Sequence, residues 1–392
     1  MDFALTEEQE MIRESAEGFL ADVSSSEAIR SAMASESGFD AALWERVCSE
    51  MYWQAIHIPE AYGGMGLGYV ELAVLLEQMG KTLFCSPFIS TVCLGANALL
   101  VAGTESQKQN YLSKIAEGSL TATLAYTGVS GRWDANAVEA VYEQAADGSV
   151  TINGALRYVP DGHTADLLVV AARKAGSSGE QGIALFLLAA DSSGVERRWL
   201  PTMDQTRKQA EINLSHVAIA ADDVMLDAGD AWNKLATVIQ LAQVSIAAEQ
   251  MGGAQQTLDM AVEYTQEREQ FGRTIASYQA IKHKAADMML KAEVSRSAVY
   301  YAACVAQEAL DQQGDKSLAA DLPQAASMAK AYCSDTFFYN AGNAIQLFGG
   351  VGFTWEYDCH LYFKRAKSTE TFLGNGSYHR ELIAQQLLDQ EA

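Results

Sequence analysis

Two short segments carry side chains suited to a phosphate-bearing ligand. They are Arg268-Glu269-Gln270-Phe271-Gly272 and Gln346-Leu347-Phe348-Gly349-Gly350-Val351-Gly352-Phe353. The guanidinium of Arg268 is a rigid fork of donors that matches paired phosphate oxygens. Gly349 and Gly350 lack the Cβ that would hold a phosphate or a ribose away from the backbone. Taken singly, Arg268 reads more readily as a solvated helix charge, and Phe271 as a core aromatic. Their occurrence together with Gln346-x-x-Gly349-Gly350 favours the ligand.

A third segment, Phe372-Leu373-Gly374-Asn375-Gly376-Ser377-Tyr378-His379-Arg380, follows close to the end of the 392 residues. With these three segments so spaced, the chain resembles the flavin-dependent acyl-CoA dehydrogenases over essentially its whole length. The resemblance implies FAD held between two subunits. One subunit's β domain takes the isoalloxazine, and its neighbour's C-terminal bundle takes the pyrophosphate and adenosine. It assigns Arg268 to the pyrophosphate, Phe271 to the adenine side, and Gln346, Gly349 and Gly350 to the same bundle half-site.

The β half-site departs from the family pattern. Where the family has Thr-Glu-Pro-Gly, this chain has Thr127-Gly128-Val129-Ser130. Thr127 keeps a hydroxyl for the flavin edge. Where the family has Trp-x-Thr or Trp-x-Ser, the chain has Tyr158-Val159-Pro160. Tyr158 can still stack, but Pro160 has neither a hydroxyl nor a backbone N–H to donate.

The family's catalytic base is also missing. Proton abstraction beside a thioester needs a carboxylate within hydrogen-bond reach of the α-carbon. In the family a glutamate removes that proton as a hydride leaves the β-carbon. One of its two known positions is Leu373 here, and the other is Ala242, followed by Gln243 where an arginine is common. Neither leucine nor alanine accepts a proton. Glu370 and Glu249 are the substitutes nearest in sequence, and each reads equally as an ion-paired or solvated carboxylate.

The features a chain lends to its neighbour are kept, and those it needs for itself are eroded. The resemblance therefore implies the base-lacking accessory chain of a hetero-oligomeric acyl-CoA dehydrogenase, an α2β2 assembly. Such an enzyme oxidises an acyl-CoA to the 2-enoyl-CoA, with a bulky acyl group such as a steroid side chain suggested by analogy. Its implied partners are a second dehydrogenase subunit, an acyl-CoA and an electron-transferring flavoprotein. Two other readings stay open. One is a self-sufficient homotetramer with a displaced base such as Glu370. The other is a non-catalytic member that binds an acyl-CoA or a partner.

Composition narrows the classes. The net charge is −23 and the pI about 4.6, which disfavours nucleic acid and anionic membrane surfaces as partners. No apolar run is long enough to span a bilayer, and the first nine residues lack the pattern of a signal peptide. Cys48, Cys85, Cys93, Cys304, Cys333 and Cys359 are scattered, with no CxxC. That usage fits a reducing cytoplasm. The six histidines show no metal-ligand spacing, so no metal site is expected.

The elements that must position these residues follow from periodicity. Residues 1–118 read as helical, with Thr6 and Gln9 as a capping box, Val70–Met79 as one helix and Ala96–Leu112 as another. Residues 119–228 read as a small β domain. Asp147-Gly148 and Asn153-Gly154 flank Val150-Thr151-Ile152 as turn signals. Leu167–Val170, Ile183–Leu188 and Glu211–Leu214 read as strands, and Lys174–Gly179 as a loop. Residues 229–392 return to helical spacing: Leu235, Ile239, Ala242 and Ile246 share one face, and Ile281, Ala285 and Met288 another. No proline falls between Pro201 and Pro323. The expected fold is thus α+β, helical then β then helical, and the resemblance makes the last part a four-helix bundle.

Overall fold

The computed structural model describes residues 5–311 and 313–389. They gather into two compact units, 5–31 with 68–84 and 243–389, and 32–67 with 85–242. The order helical, β, helical holds along the chain.

The second unit is built on an eight-stranded sheet. Its strands are β1 (Ala122–Ala125), β2 (Val141–Gln144), β3 (Val150–Pro160), β4 (Leu167–Lys174), β5 (Ile183–Ala189), β6 (Val195–Leu200), β7 (Gln209–Ile219) and β8 (Val224–Leu226). They lie in the order β6-β7-β3-β2-β4-β5-β8, with β1 also on β4. β1 and β2 run parallel to β4, and the other pairs are antiparallel. The continuous apolar runs of β4 and β5 are buried along almost their whole length, as such runs require. Tyr142 meets Phe186 edge to face at 5.2 Å among Ile152, Val170 and Ile212.

Asp147-Gly148 does turn the β2–β3 hairpin, with Gly148 at φ +87°. Asn153-Gly154 does not turn. It lies within β3 at a register shift against β7. A Cβ on Gly154 would sit 2.7 Å from the Cα of Ala140, so this glycine serves close backbone approach.

Helices make the first unit. Thr6 and Gln9 form the expected capping box on Glu7–Val23, with Gln9 N donating to Thr6 Oγ1 at 3.2 Å and Thr6 N to Gln9 Oε1 at 3.0 Å. Helix Tyr69–Lys81 crosses the long helix Ala231–Glu267 backbone to backbone. A Cβ on Gly80 would lie 2.0 Å from Glu249 O, and one on Gly252 1.9 Å from Glu77 O. Helices Gln279–Leu310, Leu322–Phe348, Cys359–Thr371 and Gly376–Leu388 complete the C-terminal bundle.

The apolar pattern read over 96–112 is not one helix. It breaks at Gly103, where Thr104 starts a fresh capping box with Gln107. All six cysteines are free thiols, five of them buried. Among the described residues no helix is long and apolar enough to cross a membrane, and no cluster of metal ligands forms.

Candidate functional site

The bundle segments converge through an aromatic stack. Tyr264, near the end of helix Ala231–Glu267, lies on Phe348 with ring centroids 4.2 Å apart and planes 11° from parallel. Tyr357 closes edge-on against both rings. Arg268 follows Tyr264 by one helical turn, its N–H donating to Tyr264 O at 2.9 Å. Gly349 follows Phe348 directly. The two motifs therefore share one end of the bundle.

Phe271 and Gly272 form the two-residue turn of a hairpin between Glu269–Gln270 and Arg273–Thr274. Both have positive φ, +56° and +78°, the geometry that matches strand twist in tight hairpins. Tyr278 braces the hairpin: its hydroxyl donates to Gln270 O at 3.1 Å, and Arg273 lies 4.0 Å over its ring. Phe271 stands at the apex and is 93% exposed, so it is not the core aromatic that its type alone allowed. Arg268, Gln346, Gly349 and Gly350 are exposed as well. Gly349 adopts φ +69°, ψ −142°, which needs glycine. Gly350 does not need glycine for its φ, and an added Cβ at either position would meet nothing within 4 Å. The surface is an open backbone cradle beside a guanidinium and an aromatic ring. These residues fit the pyrophosphate–adenosine half of FAD.

The β half-site is occupied by its own groups. Thr127 is buried and its hydroxyl donates to Arg157 O at 2.6 Å, while Arg157 N donates to Thr127 O at 2.9 Å. That hydroxyl proton is spent. Tyr158 sits on a register shift of β3 against β7 at φ +58°, about a third exposed. Pro160 offers only its carbonyl, which accepts from Thr123 Oγ1 at 2.7 Å. Glu139 places one carboxylate oxygen 2.9 Å from Val129 N and the other 3.0 Å from Ser130 N. Burial raises its pKa, but the Ser130 and Val129 donors outweigh this and hold the carboxyl below its ordinary range. These residues do not fit the isoalloxazine half of FAD.

Leu373 lies in a buried turn at φ +59°. Its carbonyl accepts from Gln243 Nε2 at 3.2 Å and from His379 Nε2 at 3.0 Å. Burial, with the nearby Lys330 charge, pushes His379 down to about 3, so the imidazole is neutral. Lys330 is fully buried, and burial pushes it down to about 7. It donates to Gly374 O at 2.8 Å, Thr369 O and Ser334 Oγ at 3.0 Å, and Glu370 O at 3.2 Å. It thereby satisfies the last carbonyls of helix Cys359–Thr371 and fixes the turn that follows.

Neither substitute carboxylate is free at this turn. Glu249 forms a buried ion pair with Arg365. Glu370 pairs with Lys367 at 2.7 Å. Ala242 is buried on the same helix as Gln243. A groove of about 460 Å³ between helices Ala231–Glu267 and Gln279–Leu310 is lined by Asp259, Glu263 and Glu293. Those charges suit it poorly to an anionic CoA.

Sequence reasoning missed Glu139, Lys330 and the role of His379. Lys330 had a visible signal, a lone cation in the small apolar run Ala325–Ala331. Glu139 had none in its own neighbourhood. Its only trace was the pair Gly128-Val129, which departs from the family pattern.

Residues 6–119 match the acyl-CoA dehydrogenase N-terminal domain and residues 229–388 the acyl-CoA dehydrogenase C-terminal domain. The acyl-CoA dehydrogenase IpdE2 of Mycolicibacterium smegmatis is 30% identical over 370 residues, covering 94% of this chain and 96% of the relative. The ChsE4–ChsE5 complex from Mycobacterium tuberculosis superposes with a TM-score of 0.87 at 25% identity, covering 100% of both chains. A Tcur3481–Tcur3483 steroid ACAD variant superposes with a TM-score of 0.83 at 28% identity, covering 97% of this chain and 99% of that one.

Proposed function

This chain belongs to the acyl-CoA dehydrogenase family, and from that premise we propose that it is the base-lacking subunit of a hetero-oligomeric member. FAD is the cofactor of the family and supplies the two-electron acceptor when bound. Arg268, Phe271, Gln346, Gly349 and Gly350 hold the pyrophosphate–adenosine half of a partner subunit's FAD. The partner contributes the isoalloxazine pocket, the acyl-CoA pocket and the proton-accepting carboxylate. The three-part division at residues 118 and 228 belongs to this reading, as does an α2β2 assembly in the cytoplasm.

The observation that carries the proposal is the contrast between the half-sites. The bundle cradle is open and finished in glycine. In the β half, the Thr127 hydroxyl and the 129–130 donors are already engaged. The two sequence-nominated carboxylates, Glu249 and Glu370, are ion-paired. A bulky, steroid-type acyl-CoA is the substrate proposed for the assembly, supported by the likeness to a steroid ACAD pair. An electron-transferring flavoprotein as electron acceptor is part of the same proposal.

The test is the visible spectrum and subunit masses of the chain purified alone and with a co-expressed partner. Alone it is expected to be colourless. With its partner it should carry about one flavin per two chains, and Arg268→Ala should strip that flavin. A yellow, active homotetramer of this chain would overturn the reading.

A further inference from the structure

We infer that Glu139 is an internal ligand that closes this chain's own flavin half-site. The inference deepens the proposed function and rests on it. Three residues make the device. Glu139 supplies two acceptor oxygens, and Val129 and Ser130 supply successive backbone N–H groups at 2.9 and 3.0 Å. Successive N–H groups aimed at one point form an anion-receiving concavity. Here the chain's own carboxylate fills it.

Gly128 supplies the room. Its φ is not in the left-handed region, so its backbone conformation does not call for glycine. Space does: a Cβ at 128 would lie 2.4 Å from both Cδ and Oε2 of Glu139. A side chain of any kind at 128 would push the carboxylate out. Gly128 N donates to Ala137 O at 2.8 Å and closes the loop over its own carboxylate. Val129 supplies the donor. A proline at 129 would have no N–H to give.

Positions 128 and 129 are two of the three at which this segment abandons Thr-Glu-Pro-Gly, Ser130 being the third. Glutamate at 128 would exclude Glu139 by contact, and proline at 129 would remove half of its binding. Both changes are therefore ones that admit Glu139. The erosion noted in the sequence is, in this segment, a substitution of an internal oxygen acceptor for an external one. The ligand class excluded is a planar ring system presenting carbonyl oxygens, the isoalloxazine.

Riboflavin is the probe, because it lacks the adenosine that the bundle half-site would grip. Titration of the full-length chain, read by quenching of riboflavin fluorescence, is run on wild type, Glu139→Ala and Gly128→Ala. Glu139→Ala removes the carboxylate, and Gly128→Ala displaces it while leaving its charge. Circular dichroism checks that each variant folds. The expected result is no saturable binding by wild type and at least tenfold stronger binding by either variant. Amide hydrogen exchange at Val129 and Ser130 should be faster in both free variants and slowed again by riboflavin. If neither folded variant binds while wild type also does not, Glu139 is not the closing group, and the lending role stands unaffected. If wild type binds riboflavin as well as the variants do, this inference fails, and the lending role is judged separately by whether Arg268→Ala strips flavin from the co-expressed assembly.

Discussion

Gln243 donates its side-chain amide to the carbonyl oxygen of Leu373 at 3.2 Å, across 130 residues of sequence. The bond goes to the backbone, so the turn is held whatever side chain stands at 373. His379 adds a second donor to the same oxygen, and Lys330 takes Gly374 O. The 373–374 turn is thus fixed through its backbone by three side-chain donors.

The Lys330→Met variant should show how much of that fixing depends on one ammonium. Three backbone carbonyls lose their donor in a buried setting. An unsatisfied buried acceptor costs about 1–3 kcal/mol. The offsetting gain is that a buried charge is gone. A net loss of a few kcal/mol is expected in urea unfolding, with faster amide exchange at the 372–375 turn. Unchanged exchange there would show that Gln243 and His379 suffice.

Gly350→Ala separates ligand space from fold. The added methyl meets nothing within 4 Å, and φ at 350 is not left-handed. Stability should change by less than about 0.5 kcal/mol, as for an unremarkable surface site. Flavin content of the co-expressed assembly should nonetheless fall. Full flavin content would count against the cradle.

Gly252→Ala is the opposite case. Its methyl would lie 1.9 Å from Glu77 O, which is helix backbone and cannot rotate away. Overpacking of this kind costs about 1–3 kcal/mol or more. The thermal midpoint should drop clearly, whereas Gly350→Ala leaves it in place.

Acidification should destabilise the chain through two neutral imidazoles. Burial pushes His57 down from 6.5 to about 4 and His379 from 6.5 to about 3. Below pH 6.5 the unfolded chain binds these protons and the folded chain does not, so stability falls as pH falls. The loss levels off only once the folded values are reached. At pH 5 each histidine accounts for about 2 kcal/mol. Urea midpoints between pH 7 and pH 5 should show that slope, and His57→Gln with His379→Gln should flatten it.

The sequence by itself determined the layer order, because periodicity is local. The 3.6-residue spacing through Leu235, Ile239 and Ala242 and the apolar runs of β4 and β5 record which face each element buries. It also determined that Leu373 and Ala242 cannot accept a proton, since that follows from residue type alone. Tertiary structure decided what each polar group is bonded to. Only there does Asn153-Gly154 become a close approach instead of a turn, and Phe271 an apex instead of core. Only there does Glu139 reach the 129–130 amides, because that bond needs the loop to fold back over ten residues. Hydrogen-bond partners and free space are properties of where chain segments meet, and local spacing does not encode that meeting.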